Sequence, residues 1–345
     1  PKLDRIEGGV MDKETVLVTG GAGYIGSHLV RKLLQRGYRV RVLDKFLYGE
    51  HGIAELRGDP NFEIRYGDIC HIRDVVQAVN GVRAVVALAA LVGDAACDLD
   101  PREALTTNYE STRCLLEACR EAEVQRLVFA SSCSVYGANG SELLTEGSHL
   151  NPVSLYARTR IMSEEVLLQE HGDVEVVILR LSTVCGLSPR MRFDLMVNTI
   201  TARASVEGRV RIVGANQWRP HIHVQDAAEA FLRGVEAPSD VAARGVFNVG
   251  GEHLNYTVGE IAEKVVQHIP GTVVEHFDHI EDRRSYRVSF DHIREQLGFI
   301  PMRTVDDAIR EVHGVLQTGE VHNYGDEVYH NVKQLQRNSR QRVPA

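Results

Sequence analysis

The feature that most narrows the fold is TGGAGYIG at 19–26, a glycine-rich turn between an apolar run and a segment of helical spacing. ETVLVTG (14–20) reads as a buried strand and GYIGSHLVRKLLQRG (23–37) as a helix closed by glycine. The alternation then repeats. RVRVLD (39–44), FEIRYGD (62–68), RAVVALAA (83–90), RLVFASS (126–132) and VEVVILRLS (174–182) read as strands. Helices are predicted over 72–81, 99–123 and 153–171. Strands with near-continuous apolar runs are covered on both faces, which is the condition of a parallel sheet sandwiched by helices.

Right-handed crossovers turn this order into an α/β, Rossmann-type doubly wound parallel sheet. After residue 183 the pattern changes. SPRMRFDLMVN (188–198) and NQWRPHIHVQD (216–226) are short and rich in Pro, Arg, Asn and His, and βα-like pieces follow at 246–251, 257–269 and 304–317. This predicts a smaller C-terminal substrate-binding lobe over the strand ends. Residues 11–183, with parts of 215–255, form the dinucleotide-binding domain, and 184–214 with 256–325 form the lobe. Residues 1–10 read as a leader ahead of Met11, and the polar 331–345 as a flexible tail.

Gly20, Gly23 and Gly26 have GxxGxxG spacing. The first permits the tight turn, the second lets backbone approach a pyrophosphate, and the third lets the helix pack closely. The helix N-terminus then offers free N–H groups and a positive dipole to phosphate. Asp44 ends the second strand, 18 residues past Gly26. A carboxylate there accepts from adenosine ribose hydroxyls and repels a 2′-phosphate, so the cofactor expected is NAD rather than NADP. Lys45 beside it weakens that preference slightly. Asp68 and Ile69 stand where an adenine would lie, although Asp68 reads equally well as a strand-end cap.

Composition excludes other classes. With a net charge of −8 and a pI near 6.0, nothing draws the chain as a whole to nucleic acid or membrane surfaces. No apolar run approaches the roughly 20 residues of a membrane span. Six cysteines form no CxxC pair and no zinc spacing with histidine, so no metal is expected, and a reducing cytoplasm is the simplest setting.

With these residues placed, the chain resembles the extended short-chain dehydrogenase/reductases, in the nucleotide-sugar epimerase/dehydratase branch. The pieces that carry the likeness are TGGAGYIG, LAA at 88–90, SSCSVYG at 131–137, SLYARTR at 154–160 and RPHIHVQDAAEAF at 219–231. LAALVGDAAC (88–97) and LSPRMRFDLMVN (187–198) are similar to epimerase-like members and to GDP-heptose 4-dehydrogenases. The resemblance implies cofactor contacts from Gly20, Gly23, Tyr24, Ile25, Gly26, Asp44, Asp68, Ile69, Leu88, Ala89, Ala90, Asn108, Ser131, Tyr156 and Arg160. Read on its own, Asn108 is equally a helix residue facing solvent.

The family's engine is a Tyr, a Lys four residues later on the same helix face, and a strand-end hydroxyl. Tyr156 and Ser132 fit. Arg160 stands at the Lys position, which keeps the cation but changes its shape, so altered turnover is expected. A tyrosine needs roughly three units of depression from its free pKa near 10 to act as a base at neutral pH. In the implied reaction Tyr156 takes the proton of a sugar hydroxyl at C4, Ser132 holds that oxygen, and NAD accepts the hydride. The Asp-Glu pair of the 4,6-dehydratases is replaced by Cys133 and Ser134, so water elimination is not expected. Alternation along the strand turns Cys133 away from the site.

The partner implied is a nucleotide-diphosphate sugar. Resemblance puts Thr183 beside the sugar, Asn198 at the diphosphate and Arg219 on a phosphate, where bidentate pairing favours arginine. Arg283 and Arg284 are candidates for a second clamp, and Arg190 and Arg192 for extra contacts. All four read equally well as solvated surface. Three functions fit: a 4-epimerase with transient oxidation, a 4-dehydrogenase or ketoreductase that releases or takes up a keto sugar, and a non-catalytic binder disabled by Arg160. Relatives dimerise through the helices at 99–123 and 153–171, so a homodimer is implied.

Overall fold

The computed structural model describes residues 14–243, 245–277 and 284–342, which leaves the leader 1–10 and Arg283 outside the described residues. Seven parallel strands make the main sheet: β1 Thr15–Thr19, β2 Arg39–Asp44, β3 Phe62–Tyr66, β4 Ala84–Ala87, β5 Arg126–Ser132, β6 Glu175–Leu181 and β7 Gly245–Val249. Their order is β7-β6-β5-β4-β1-β2-β3. The chain reverses direction across the sheet between β1 and β4, and a doubly wound sheet binds its ligand at that switch point. The strands alternate between two cores. Val16, Val18, Val40 and Val42 face one side with Leu29 and Leu33, while Leu17, Leu43, Val85 and Leu127 face the other. Burial on both faces explains the unbroken apolar runs.

Helices α1 Gly26–Arg36, α2 Leu155–Glu170, α3 Met196–Glu207, α4 Val224–Glu236, α5 Val305–Gln317 and α6 Asn331–Arg342 frame the site. The helix predicted over 99–123 is present over 101–121. Asp100 caps its start at Pro101–Leu105 through the N–H groups of Arg102 and Glu103, a π-helical stretch follows at Thr106–Glu110, and α-helical bonding resumes at Ser111–Glu121. Pro101 is tolerated only at a helix start, which is why the helix begins there and not at 99. The lobe packs α3 and α5 with the helix Val258–His268 around Val197, Ile261, Val265 and Ile309. A strand from the first half, Ala138–Leu144, pairs with Ser285–Val288 of the second.

The flexible tail expected over 331–345 is instead a helix over Asn331–Arg342, with Asn331 only 5% exposed. Its only apolar residues are Val332 and Leu335, both half-buried, too few to show a periodicity in the sequence.

Candidate active site

The turn after β1 is fixed by sterics. Gly20 has φ +73°, and a Cβ there would lie 2.8 Å from the Ala89 nitrogen. A Cβ on Gly26 would meet the Gly20 carbonyl at 2.3 Å, so α1 starts against the turn itself. Asp44, at the end of β2, accepts from the N–H of Ala22 (3.1 Å) and of Phe46 (2.8 Å). Burial raises its pKa and these two N–H groups oppose the rise. Each carboxylate oxygen retains a second lone pair for a ribose hydroxyl. Asp68 accepts from the Cys70 N–H (3.0 Å) and pairs with Lys45 (3.2 Å). Burial pushes its carboxyl up, but these partners outweigh it and hold it below the usual range. Lys45 is thereby committed to Asp68.

These residues open onto one cavity of about 1520 Å³, counting the part open to solvent. Gly20, Gly23, Tyr24, Ile25, Gly26, Asp44, Asp68, Ile69, Leu88, Ala89, Ala90, Ser131, Ser132, Tyr156, Arg160 and Thr183 all line it. Asn108 does not. It is 1% exposed, accepts from the Leu91 N–H and donates to the Leu91 carbonyl, both at 2.9 Å. The solvent-facing alternative is therefore excluded. Asn108 acts through Leu91, which does line the cavity.

At the far end, Ser154 caps α2 through the Ala157 N–H, and Tyr156 and Arg160 follow four residues apart on the face toward β5. The Arg160 guanidinium lies 5.1 Å from the Tyr156 ring centroid and 5.5 Å from that of Phe129. Its Nη1 donates to the Ala130 carbonyl at 3.2 Å, while Nε and Nη2 are buried without a protein partner. Burial raises the Tyr156 pKa and the Arg160 charge opposes the rise. Ser132 Oγ accepts from the Ser134 N–H at 3.1 Å. Ser131 donates to Glu164, whose carboxylate is paired with buried Arg180 (2.7 Å). Cys133 points away as expected, its Sγ donating to the Arg180 carbonyl at 3.2 Å.

The substrate-side residues divide. Arg219 Nη1 donates to the carbonyls of Trp218 and Arg284, and Arg284 pairs with Asp94 at 3.0 Å, so these two meet outside the cavity. Asn198 does not reach the cavity either. It is fully buried, accepting from the Gly186 N–H (3.0 Å) and donating to the Tyr24 hydroxyl (3.1 Å) and the Arg192 carbonyl (2.8 Å). Its carboxamide thus holds the loop 186–192. That loop delivers Arg190 and Arg192, neither of them solvated surface. Arg190 is 1% exposed and stacks 4.2 Å over the Tyr48 ring, near Asp44. Burial and neighbouring Arg192 push its pKa down to about 10. Arg192 pairs with Asp194 at 2.8 Å. Tyr48 and Asn331 also line the cavity, and sequence offered no signal for either.

The sequence profile of the NAD dependent epimerase/dehydratase family matches residues 16–250. The chain belongs to this family. A UDP-glucose 4-epimerase of Rhizobium leguminosarum bv. trifolii is 29% identical over 321 residues, covering 87% of this chain and 96% of the relative. One of Lactobacillus helveticus is 30% identical over 271 residues, covering 72% and 81%. The solved structure of MoeE5 in complex with UDP-glucuronic acid and NAD superposes with a TM-score of 0.75 at 28% identity, covering 88% of this chain and 99% of that one. For a member of the NAD-dependent epimerase/dehydratase family, the cavity fits the cofactor on its own evidence. The Gly20–Gly26 cradle leaves room for phosphate, and Arg160 Nε and Nη2, Arg190 Nε and the Tyr48 hydroxyl are buried donors awaiting acceptors. Among the described residues no cluster of metal-ligating side chains occurs, and no helix is long and apolar enough to cross a membrane.

Proposed function

We propose that this chain is a nucleotide-sugar 4-epimerase that works by transient oxidation at sugar C4. The observation that carries the reading is the convergence of Tyr156, Ser132 and Arg160 on the same cavity as the Asp44 end of the glycine turn. NAD, when bound, supplies the hydride acceptor. Tyr156 takes the proton of the C4 hydroxyl, and Ser132 Oγ holds that oxygen. The unpaired Nε and Nη2 of Arg160 orient the cofactor's ribose, and its charge favours the tyrosinate. Arg284 reaches the substrate diphosphate once Asp94 gives up its ion pair, and Arg219, bonded to the Arg284 carbonyl, binds beside it. Asn198 contributes by holding the loop that carries Arg190. Two copies associate through the outer faces of Ser111–Glu121 and α2, which light scattering of the purified chain tests.

The reaction is tested by incubating the protein with UDP-, GDP- and dTDP-hexoses and separating 4-epimers by chromatography. Isomer formation without net change in nicotinamide absorbance is expected. A stoichiometric absorbance change with a keto sugar released would identify a 4-dehydrogenase instead. Binding of nucleotide sugars without turnover, persisting in Arg160→Lys, would identify a non-catalytic binder.

A further inference from the structure

Three arginines line the cofactor cavity, each in a different electrostatic setting. Arg160 lies beside Tyr156, and Arg192 is paired with Asp194 at 2.8 Å. Arg190 is 1% exposed, has no carboxylate bonded to it among the described residues, and keeps a buried Nε without a partner. The carboxylates around it are engaged elsewhere, Asp44 with the N–H groups of Ala22 and Phe46, and Asp194 with Arg192 and the Asn331 N–H. A buried cation without its own counter-ion is costly, and in a ligand cavity it marks the place where an anion arrives.

The surroundings say which anion. Ser188 Oγ lies 3.1 Å from Ser27 Oγ and donates to the Tyr24 carbonyl, so the loop 186–192 sits on the first turn of α1. A Cβ on Gly52 would lie 2.7 Å from the Ala22 carbonyl and 3.2 Å from Arg190 Cβ, which puts Arg190 beside the glycine turn. NAD is anionic only at its diphosphate, and a helix N-terminus such as that of α1 is where a diphosphate binds. Asn331 supplies the remaining constraint. Arginine only donates, so the Asn331 oxygen, 2.6 Å from Arg190 Nη2, is fixed as the acceptor. That oxygen satisfies one edge of the guanidinium and adds no charge. An aspartate there would make the same bond and neutralise Arg190. We propose that Asn331 is a positioning residue that holds Arg190 as an uncompensated cation for the diphosphate of the cofactor. The C-terminal segment thereby enters the charge balance of the dinucleotide site from beyond residue 250, where the family profile ends. This rests on the cofactor being NAD and not on which sugar is turned over.

NAD, ADP and adenosine are titrated into the NAD-free full chain and into Asn331→Asp and Arg190→Met, folding being checked by circular dichroism and melting. Adenosine lacks the diphosphate and serves as the control. In Asn331→Asp the dissociation constants of NAD and ADP should rise about tenfold or more while that of adenosine stays in place. Arg190→Met should show the same pattern. A merely structural amide predicts the reverse, because Asn331→Asp keeps the bond to Arg190 and would then bind NAD as the parent does. That result overturns the proposal, as does an equal loss for adenosine, which would put Arg190 on the ribose. If one variant does not fold, the other decides. Because the readout is ligand affinity, a failed epimerase assay leaves it intact.

Discussion

At the residue scale, the decisive contest is over the Tyr156 proton. Burial favours the neutral phenol, and the Arg160 cation is the nearest group that opposes it. Removing the hydroxyl with Tyr156→Phe should lower kcat by roughly 10²–10⁴-fold, the usual contribution of a general base. Arg160→Met removes the opposing charge, so Tyr156 should ionise at higher pH. The rising limb of the pH–kcat profile should move to higher pH, and an unmoved limb would show that Arg160 does not set the base. Arg160→Lys keeps the charge and should leave that limb nearly in place while changing the affinity for NAD. Gly20→Ala places a Cβ 2.8 Å from Ala89 backbone at a positive φ. That variant should lose bound NAD, read as absent nicotinamide nucleotide after denaturation.

At the scale of elements, the loop 186–192 is the piece that couples lobe to sheet. Ser188 donates to the Tyr24 carbonyl (2.8 Å), His28 Nε2–H to the Leu187 carbonyl (3.0 Å), and the Leu187 N–H to Glu311 on α5 (3.1 Å). Glu311 also accepts from His223 Nε2–H at 2.8 Å, while His223 Nδ1 accepts from the Gln225 N–H. Asn198→Ala strips the loop of its central bonds, leaving buried groups unpaired. It should cost about 1–3 kcal/mol of stability and weaken NAD binding through displaced Arg190, as read by melting and titration. His28 sets a pH limit. Burial lowers its pKa from 6.5 to about 4, so the unfolded chain takes up a proton that the folded chain refuses. Stability from this source is intact above pH 6.5 and falls as pH drops toward 4, by on the order of 3 kcal/mol at most. In His28→Gln, melting temperature should fall less steeply across that interval. Equal slopes would mean other groups dominate.

On the scale of the whole molecule, the cavity is built by separate stretches: the strand ends of the sheet with their turns, the 88–92 loop, Tyr156 and Arg160 of α2, the 186–195 loop and Asn331. Cofactor binding should therefore join lobe, sheet and C-terminus into one cooperative unit. The protein with bound NAD should melt in a single transition well above the NAD-free protein, and two separated transitions would contradict this.

The sequence by itself determined the doubly wound sheet, because strands buried on both faces need unbroken apolar runs and the glycine turn admits no side chain at Gly20 or Gly26. It also determined that Asp44, Tyr156, Arg160 and Ser132 face one cavity, since local spacing on a strand end or one helix face suffices to aim each of them. What only the tertiary structure decided lies where partners are distant in the chain. Arg190 reads equally well as surface until Tyr48 and Asn331 are folded against it. Asn198 reads as a ligand until its amide is seen bonded to Tyr24 and Gly186. Asn331 sits in a mostly polar stretch, and its place on the cavity wall follows from contacts with residues more than 130 positions away. Periodicity reports only which face of an element is buried. The groups that meet across the cavity are set by how the elements pack.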